Sequence, residues 1–226
     1  MSLQRLNPFK FVSPRALSVE TQKSLFERQR ARQPTHYQLP VSVAQVLESR
    51  TCTVFLELGA GDGQFSETLA RGDRDAIVIS LEKTVNRFSA MQRRHAIARC
   101  SNWTALHAHA VTWVSAVLPV ASIDAIFLMY PNPYLKTRQR NLRWHHMPFA
   151  DVMVRSLKRR GRLMVATNTE GYMVEAETVW PGRGLELVSR RAFLQNDPHA
   201  PSPRTAFEKK YLERGERCFE SVWEKP

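Results

Sequence analysis

Three glycines at alternating positions follow a short apolar run and precede an amphipathic stretch. The sequence there reads Glu57-Leu-Gly59-Ala-Gly61-Asp-Gly63. Glycine permits tight backbone turns and lets a flat or extended ligand approach the backbone closely. A dinucleotide-binding loop would need its third glycine at the next position, which is Gln64 here, so binding of a pyrophosphate is disfavoured.

Two acidic residues accompany this loop. Glu57 stands at the end of the first apolar run, and Glu82 stands at the end of the second. Acids at two neighbouring strand ends suit a cationic ligand that carries a ribose, with Glu82 placed to accept both ribose hydroxyls. S-adenosylmethionine fits this description. The alternative is an ordinary strand-to-helix turn with solvated acids.

The net charge of +12 is concentrated in two segments. Residues 1–50 contain 8 basic and 3 acidic residues, and residues 129–163 contain 9 basic and 1 acidic residue. Tyr130, Tyr134 and Trp144 are interleaved with the basic residues of the second segment. Basic charge with interleaved aromatic rings is typical of nucleic-acid binding. A solvated basic surface is the alternative interpretation.

Apolar runs alternate with helical patterns over most of the chain. Such alternation predicts an α/β fold with a doubly wound, mostly parallel sheet and ligands at the carboxyl ends of the strands. A helix is expected behind Pro148, ending at Gly161. Residues 36–226 are predicted to form a single domain behind a basic arm at 1–35. The predicted strands are 53–58, 76–81, 104–107, 125–130 and 162–167.

Other sequence features exclude several classes of protein. The apolar runs are far shorter than the ~20 residues of a membrane helix, and the first twenty residues lack the apolar core of a secretory signal. The chain is therefore expected to be cytoplasmic. Cys52, Cys100 and Cys218 are widely spaced, which favours reduced cysteines and no metal site. The oligomeric state stays open, with a monomer favoured.

Three later motifs carry a family resemblance. They are Tyr130-Pro-Asn132-Pro-Tyr134-Leu-Lys136, Pro203-Arg-Thr205-Ala-Phe-Glu208 and Arg214-Gly-Glu-Arg217. In order and spacing, the chain from about Val54 to its end resembles the bacterial tRNA (guanine-N7)-methyltransferase family. The resemblance implies a class I methyltransferase fold, with a seven-stranded sheet whose last strand, expected at 218–224, is antiparallel. It further implies S-adenosylmethionine as cofactor, tRNA as partner, a guanine of the variable loop as target, and no metal.

The resemblance also implies roles for individual residues. Glu57 and Glu82 match acidic contacts to the cofactor, and Lys136 matches a lysine that contacts the substrate. Thr205, Phe207 and Glu208 match the element that holds the target base. The complete set of implied cofactor positions is Glu57, Gly59, Gly61, Gly63, Glu82 and His109. The implied substrate positions are Lys136, Arg138, Arg140, Asn168, Thr205, Phe207 and Glu208, with Asn132 at the catalytic position.

Three positions depart from the family pattern. Asn132, Asn168 and His109 stand where the family has aspartates. Guanine N7 has a free lone pair, so its methylation needs no general base, but the ring becomes cationic and a carboxylate would stabilise it. An amide keeps an acceptor oxygen and loses the charge. Slower turnover, a different acceptor such as the ring nitrogen of a small heterocycle, and a binding protein without turnover therefore remain open.

Histidines add further candidates. His109 could accept a hydrogen bond from the adenine amine of the cofactor, or it could have a structural role. In a different register of the strand, His107 would take the place of His109. His145 and His146 could contact phosphate or stand at a solvated helix start.

Overall fold

A computed structural model describes residues 41–49 and 52–226. The predicted basic arm at 1–35 lies outside these residues. The described part contains a seven-stranded sheet with helices packed on it. The strands are β1 (Val54–Leu58), β2 (Ile77–Glu82), β3 (Trp103–His107), β4 (Ile123–Met129), β5 (Leu157–Thr167), β6 (Glu186–Phe193) and β7 (Cys218–Glu224). The α-helices are α1 (Val41–Ser49), α2 (Gln64–Gly72), α3 (Val85–Ala98), α4 (Ala110–Val117), α5 (Phe149–Ser156), α6 (Glu170–Val179) and α7 (Ala206–Glu213).

The strand order is β3-β2-β1-β4-β5-β7-β6. Neighbours from β3 to β5 pair in parallel, whereas β7 runs antiparallel to both β5 and β6. This confirms the predicted mostly parallel sheet with its antiparallel last strand at 218–224. The chain order reverses between β1 and β4, which is the point where open α/β sheets bind ligands beside the carboxyl ends of their strands.

The central strands are buried because helices cover both faces of the sheet. Leu56 and Ile79 are inaccessible to solvent, and the largest core cluster joins these strands to three tryptophans, Trp113, Trp180 and Trp223. Near-continuous apolar runs are the pattern that parallel strands buried on both faces require. Burial of Cys218 agrees with its expected place in the core, while Cys52 and Cys100 are only half-buried.

The predicted end of the fifth helix is wrong. Helix α5 ends at Ser156, and Gly161 lies inside β5. Between Ile123 and Ala125 of β4 the pairing partner on β5 advances from Leu157 to Arg162, so the additional residues of β5 form a bulge. A Cβ at Gly161 would lie 2.8 Å from the Lys158 carbonyl oxygen. Glycine is therefore needed for close backbone packing in the bulge, and not for helix termination.

No helix in the described ranges has both the length and the apolar character that crossing a membrane requires.

Candidate active site

A cavity of about 360 Å³ opens beside the carboxyl ends of β1, β2 and β4. The glycine loop and β2 supply Gly59 and Glu82 to its lining, and the turn before α4 supplies His109. The segment after β4 supplies Tyr130 and Asn132. The fold thus brings the predicted cofactor loop and the Tyr130–Tyr134 motif to one cavity, although some 70 residues separate them in the chain.

The glycine loop is held by packing and by hydrogen bonds. Gly63 has a φ of +80°, and a Cβ there would lie 2.8 Å from side-chain atoms of Met91 and Trp103, so only glycine fits. Gly59, in contrast, faces open space next to the cavity. The loop therefore packs tightly on its protein side and leaves room for a ligand on the other.

Glu82 connects the loop to the cavity. Its side chain is 3% exposed, and its two oxygens accept hydrogen bonds from the Gly61 amide at 3.0 Å and the Thr84 amide at 2.7 Å. Each carboxylate oxygen has a second lone pair. Among the described residues, Glu82 is the only carboxylate that lines the cavity, so it supplies the anionic acceptor for a ligand with hydroxyl groups.

Glu57 occupies a different environment from Glu82. It is 1% exposed, does not line the cavity, and forms a hydrogen bond with the Ser66 hydroxyl. Further hydrogen bonds link the Ser66 hydroxyl to the Ser80 hydroxyl at 2.5 Å and the Ser80 hydroxyl to the Trp103 indole nitrogen at 2.7 Å. Burial raises the pKa of Glu57 to about 8. The carboxyl is mostly neutral at pH 7, so it joins the loop to the core without adding negative charge.

Of the two competing histidines, only His109 lines the cavity. Its Nδ1 is buried and has no hydrogen-bond partner among the described residues. Burial and the neighbouring Lys83 lower the pKa of His109, which favours the neutral ring. His107 is exposed, lies 3.0 Å from the Lys83 carbonyl oxygen and stacks on Phe88. A buried nitrogen without a partner makes His109 the candidate for ligand binding.

The segment from Tyr130 to Tyr134 bends sharply past the cavity. Tyr130 and Tyr134 have φ values of +53° and +43°, which are uncommon for residues with a side chain. Asn132 between them is exposed, lines the cavity and accepts a hydrogen bond from the Tyr134 amide at 3.1 Å. One lone pair of the Asn132 oxygen remains for a ligand.

The Thr205–Glu208 motif supports this segment from α7. Thr205 caps the helix by accepting a hydrogen bond from the Glu208 amide at 3.0 Å. Glu208 is fully buried and accepts from the Tyr130 hydroxyl at 2.7 Å. Burial alone would raise the pKa of Glu208, but Arg204 lowers it. Glu208 therefore positions a residue that lines the cavity, and it does not line the cavity itself.

A contact that the sequence did not predict lies beside the Thr205–Glu208 motif. The guanidinium carbon of Arg87 lies 5.0 Å from the centre of the Phe207 ring, within the range of a cation–π interaction. Arg87 also lines the cavity. Helix α3 and helix α7 thus meet at the cavity, and no local sequence pattern links these two residues.

The exposed basic residues of the segment 129–163 lie in two separate places. Lys136 and Arg138 are exposed, follow the cavity segment and do not line the cavity. Arg155 lies in the last turn of α5, and Arg159 lies near the start of β5. The eleven residues of β5 span roughly 33 Å at about 3.3 Å per residue, so this second pair lies at the end of the strands opposite the cavity.

Other basic residues of the segment are paired inside the protein. Glu175 on α6 forms ion pairs with Arg140 and Arg143. His145 is buried with its Nε2 2.9 Å from the same carboxylate, which contradicts both alternatives for this residue, a phosphate contact and a solvated helix start. Burial lowers the pKa of His145 to about 4. His146 lies 3.0 Å from Glu175 and is partly buried.

Asn168 lies outside the cavity lining. Its amide nitrogen donates to a carboxylate oxygen of Glu216 at 2.7 Å. The amide is therefore matched to an acidic neighbour, and an aspartate at this position would face a second carboxylate.

Comparison with solved structures defines the class of the fold. The 16S rRNA methyltransferase KamB matches with a TM-score of 0.61 at 14% identity, covering 84% of this chain and 95% of that one. A 16S rRNA (adenine(1408)-N(1))-methyltransferase from Catenulisporales acidiphilia, solved with S-adenosylmethionine, matches with a TM-score of 0.59 at 12% identity and covers 84% and 92%. The fold is that of the class I methyltransferases.

Sequence comparison identifies the family. The family model described as "Putative methyltransferase" matches residues 51–221. A tRNA (guanine-N(7)-)-methyltransferase of Roseobacter denitrificans is 30% identical over 72% of this chain and 69% of its own length. Its counterpart in Nitrosospira multiformis is 26% identical over 79% and 76%. The chain belongs to the tRNA (guanine-N7)-methyltransferase family, as its motifs predicted, and is an S-adenosylmethionine-dependent methyltransferase.

Proposed function

We propose that this enzyme methylates N7 of a guanine in tRNA. The observation that carries the proposal is the single cavity that joins the glycine loop and Glu82 to Asn132 on the Tyr130–Tyr134 segment. A methyl donor and an acceptor base must meet in one place for in-line transfer, and this cavity supplies both a cofactor side and a base side. The named activity of the relatives supports the choice of base.

The residues on the cofactor side fit S-adenosylmethionine. Glu82 offers acceptor lone pairs to the two ribose hydroxyls, the orphaned Nδ1 of His109 offers a partner to the adenine amine, and Gly59 leaves space for the ligand. When bound, S-adenosylmethionine supplies a methyl group activated by its sulfonium. Glu57 supports the loop in this proposal and contributes no charge.

The residues on the base side need only hold guanine and stabilise its charge. N7 attacks with its own lone pair, so no side chain has to remove a proton. Asn132 offers an amide oxygen to the base, and Arg87, which contacts the Phe207 ring, also lines the cavity. Tyr130 keeps its proton because burial and the Glu208 carboxylate raise its pKa. The enzyme thus accelerates transfer through positioning and local dipoles.

A methylation assay tests this proposal. The protein is incubated with S-adenosylmethionine and an unmodified tRNA transcript, and the digested nucleosides are analysed by mass spectrometry. We expect 7-methylguanosine. Methylation of small heterocycles with none on tRNA would assign the activity to a different acceptor, and binding of the cofactor with no transfer to either would exclude turnover.

We expect Lys136 and Arg138 to contact tRNA phosphates, because both are exposed beside the cavity segment and neither forms an ion pair within the described ranges. Changing both to glutamine should reduce the slope of log affinity against log salt by up to ~0.9 for each phosphate that is no longer neutralised. The measurement is tRNA binding at several salt concentrations.

Arg74 and Arg99 form the matched control for this pair. Both are exposed and lie before β2 and β3, at the opposite edge of the sheet. Their replacement by glutamine changes the net charge by the same amount and should leave the slope unchanged. Equal effects of the two double variants would show that tRNA responds to overall charge and that Lys136 and Arg138 have no special place in its binding.

A further inference from the structure

The cavity segment has a strained backbone at both ends. Tyr130 and Tyr134 adopt left-handed φ values, which cost free energy unless surrounding contacts impose them. Asn132 lies between them and lines the cavity. The surrounding contacts therefore determine where the Asn132 amide is held.

The first end is held through the Tyr130 side chain and backbone. The Tyr130 amide donates to the Ala166 carbonyl at 2.8 Å, and its hydroxyl donates to Glu208 at 2.7 Å. Glu208 is itself bound by Arg204, with nitrogen–oxygen distances of 2.5 and 3.0 Å. A buried arginine–glutamate pair thus fixes the tyrosine hydroxyl.

The second end is held by one guanidinium. Arg143 donates through Nε to the Pro133 carbonyl at 2.9 Å and through a terminal nitrogen to the Tyr134 carbonyl at 2.9 Å. Its other terminal nitrogen pairs with Glu175, and the side chain is 8% exposed. The three bonds use the planar fork of a guanidinium, which a lysine ammonium cannot reproduce.

The Glu175 cluster has a further possible use that the contacts disfavour. His145, His146 and Glu175 offer ligand atoms within 4.8 Å of one another, which is a spacing compatible with a metal ion. Both oxygens of Glu175 already pair with arginines, Arg140 and Arg143. Two guanidinium charges beside the same carboxylate oppose a cation, and the cluster is better explained as the anchor of Arg143.

We propose that Arg143, anchored by Glu175, is a positioning residue that holds Asn132 in place for methyl transfer. Arg143 touches the backbone on the far side of Asn132 and does not line the cavity. Its effect should therefore appear in the rate of transfer more than in the binding of either ligand. The kinetic part of this inference rests on the proposed function, because the assay uses tRNA as acceptor.

Arg143→Lys is the test, and Arg183→Lys is its matched control. Arg183 also donates to a backbone carbonyl, that of His145 at 3.1 Å, and pairs with Asp151, but it touches neither the segment 130–134 nor the cavity. We expect Arg143→Lys to lower kcat about ten- to a hundredfold with KM for tRNA within about twofold, since positioning acts mainly in the transition state. Arg183→Lys should change kcat by less than about twofold, in keeping with a surface pair.

Amide hydrogen exchange separates this inference from the proposed function. Exchange at the amides of Tyr130, Asn132, Tyr134 and Leu135, measured without substrate, should accelerate in Arg143→Lys and stay unchanged in Arg183→Lys. Equal kcat losses in the two variants, or unchanged exchange in Arg143→Lys, would overturn the inference. If the wild-type enzyme methylates no tRNA, the proposed function fails, and the exchange measurement alone tests the role of Arg143.

Glu175→Gln provides a second variant in case Arg143→Lys does not fold. It keeps the arginine and removes its counter-charge, so amide exchange should accelerate in the same way. An unchanged exchange rate in Glu175→Gln would refute the anchoring role of Glu175.

Discussion

Replacement of Glu82 with glutamine is expected to weaken the binding of S-adenosylmethionine by about 1.5–3 kcal/mol, the range for hydrogen bonds to a charged group. Glutamine keeps the length of the side chain but exchanges one acceptor oxygen for an NH₂ group. Both present oxygens accept from backbone amides, those of Gly61 and Thr84. The new donor would face a donor on one side, and the ribose would lose an ionised acceptor. Calorimetry measures the weakening, with tenfold in Kd for each 1.4 kcal/mol.

Two controls separate ribose binding from a disturbed loop. Glu67→Gln, on α2, removes the ion pairs with Arg71 and Arg94 without touching the cavity, and it should leave the affinity nearly unchanged. S-adenosylhomocysteine and its 2′,3′-dideoxy analogue complete a thermodynamic cycle. The wild type should distinguish them clearly, and Glu82→Gln should distinguish them less. If the variant discriminates as well as the wild type, Glu82 does not bind the ribose hydroxyls.

Five of the seven strands were predictable because their signal is local, whereas no strand was predicted at β6. Apolar runs bounded by glycine or polar turns fall within a few residues of β1 to β5, and the family motifs placed β7. The end of α5 was not predictable in the same way. Gly161 after a helical pattern indicates a helix end, but the pairing of β5 with β4 and β7 imposes strand geometry from Leu157 onward. Tertiary pairing outweighed the local signal.

The candidate site likewise contains residues that a local sequence pattern predicts and residues that it does not. The glycine loop and Glu82 could be found from sequence because a ligand loop and a strand end each leave a short pattern. The burial of His145 and Arg143 could not, since it depends on Glu175, about 30 residues further along the chain. A run of basic residues has the same appearance in sequence whether the residues face solvent or pair with a distant carboxylate. Part of the basic charge that was predicted to bind phosphate is therefore paired inside the protein, where it supports the site.

Asn132 and Asn168, which stand where the family resemblance implies acids, also have different surroundings. The resemblance predicts that both limit turnover if guanine is the acceptor. Asn132 lines the cavity, whereas Asn168 donates to Glu216 and stands apart from the cavity. Asn168→Asp would remove this donor and place two carboxylates together, at a cost of about 1–3 kcal/mol. It should lower stability without raising the rate, and it therefore becomes the control for the change at Asn132.

Asn132→Asp is expected to raise the rate of methyl transfer to tRNA about ten- to a hundredfold, which corresponds to roughly 1.4–2.7 kcal/mol of barrier. An aspartate can still accept from the Tyr134 amide, as Asn132 does now, and its charge stabilises the purine as it becomes cationic. Lys83 and Arg87, which line the same cavity, offset the cost of adding a carboxylate.

The kinetic pattern decides the interpretation of this variant. Because the charge on guanine develops only during transfer, kcat should rise while KM for tRNA changes little. Single-turnover assays of wild type, Asn132→Asp and Asn168→Asp with the same tRNA provide the comparison. A fall in transfer by Asn132→Asp would show that the amide suits an acceptor other than guanine N7, because only an acceptor that receives a hydrogen bond from the amide NH₂ group would prefer asparagine to aspartate. A rise in Asn168→Asp equal to that in Asn132→Asp would mean that the charge acts at long range and that the place of Asn132 on the cavity is not what matters.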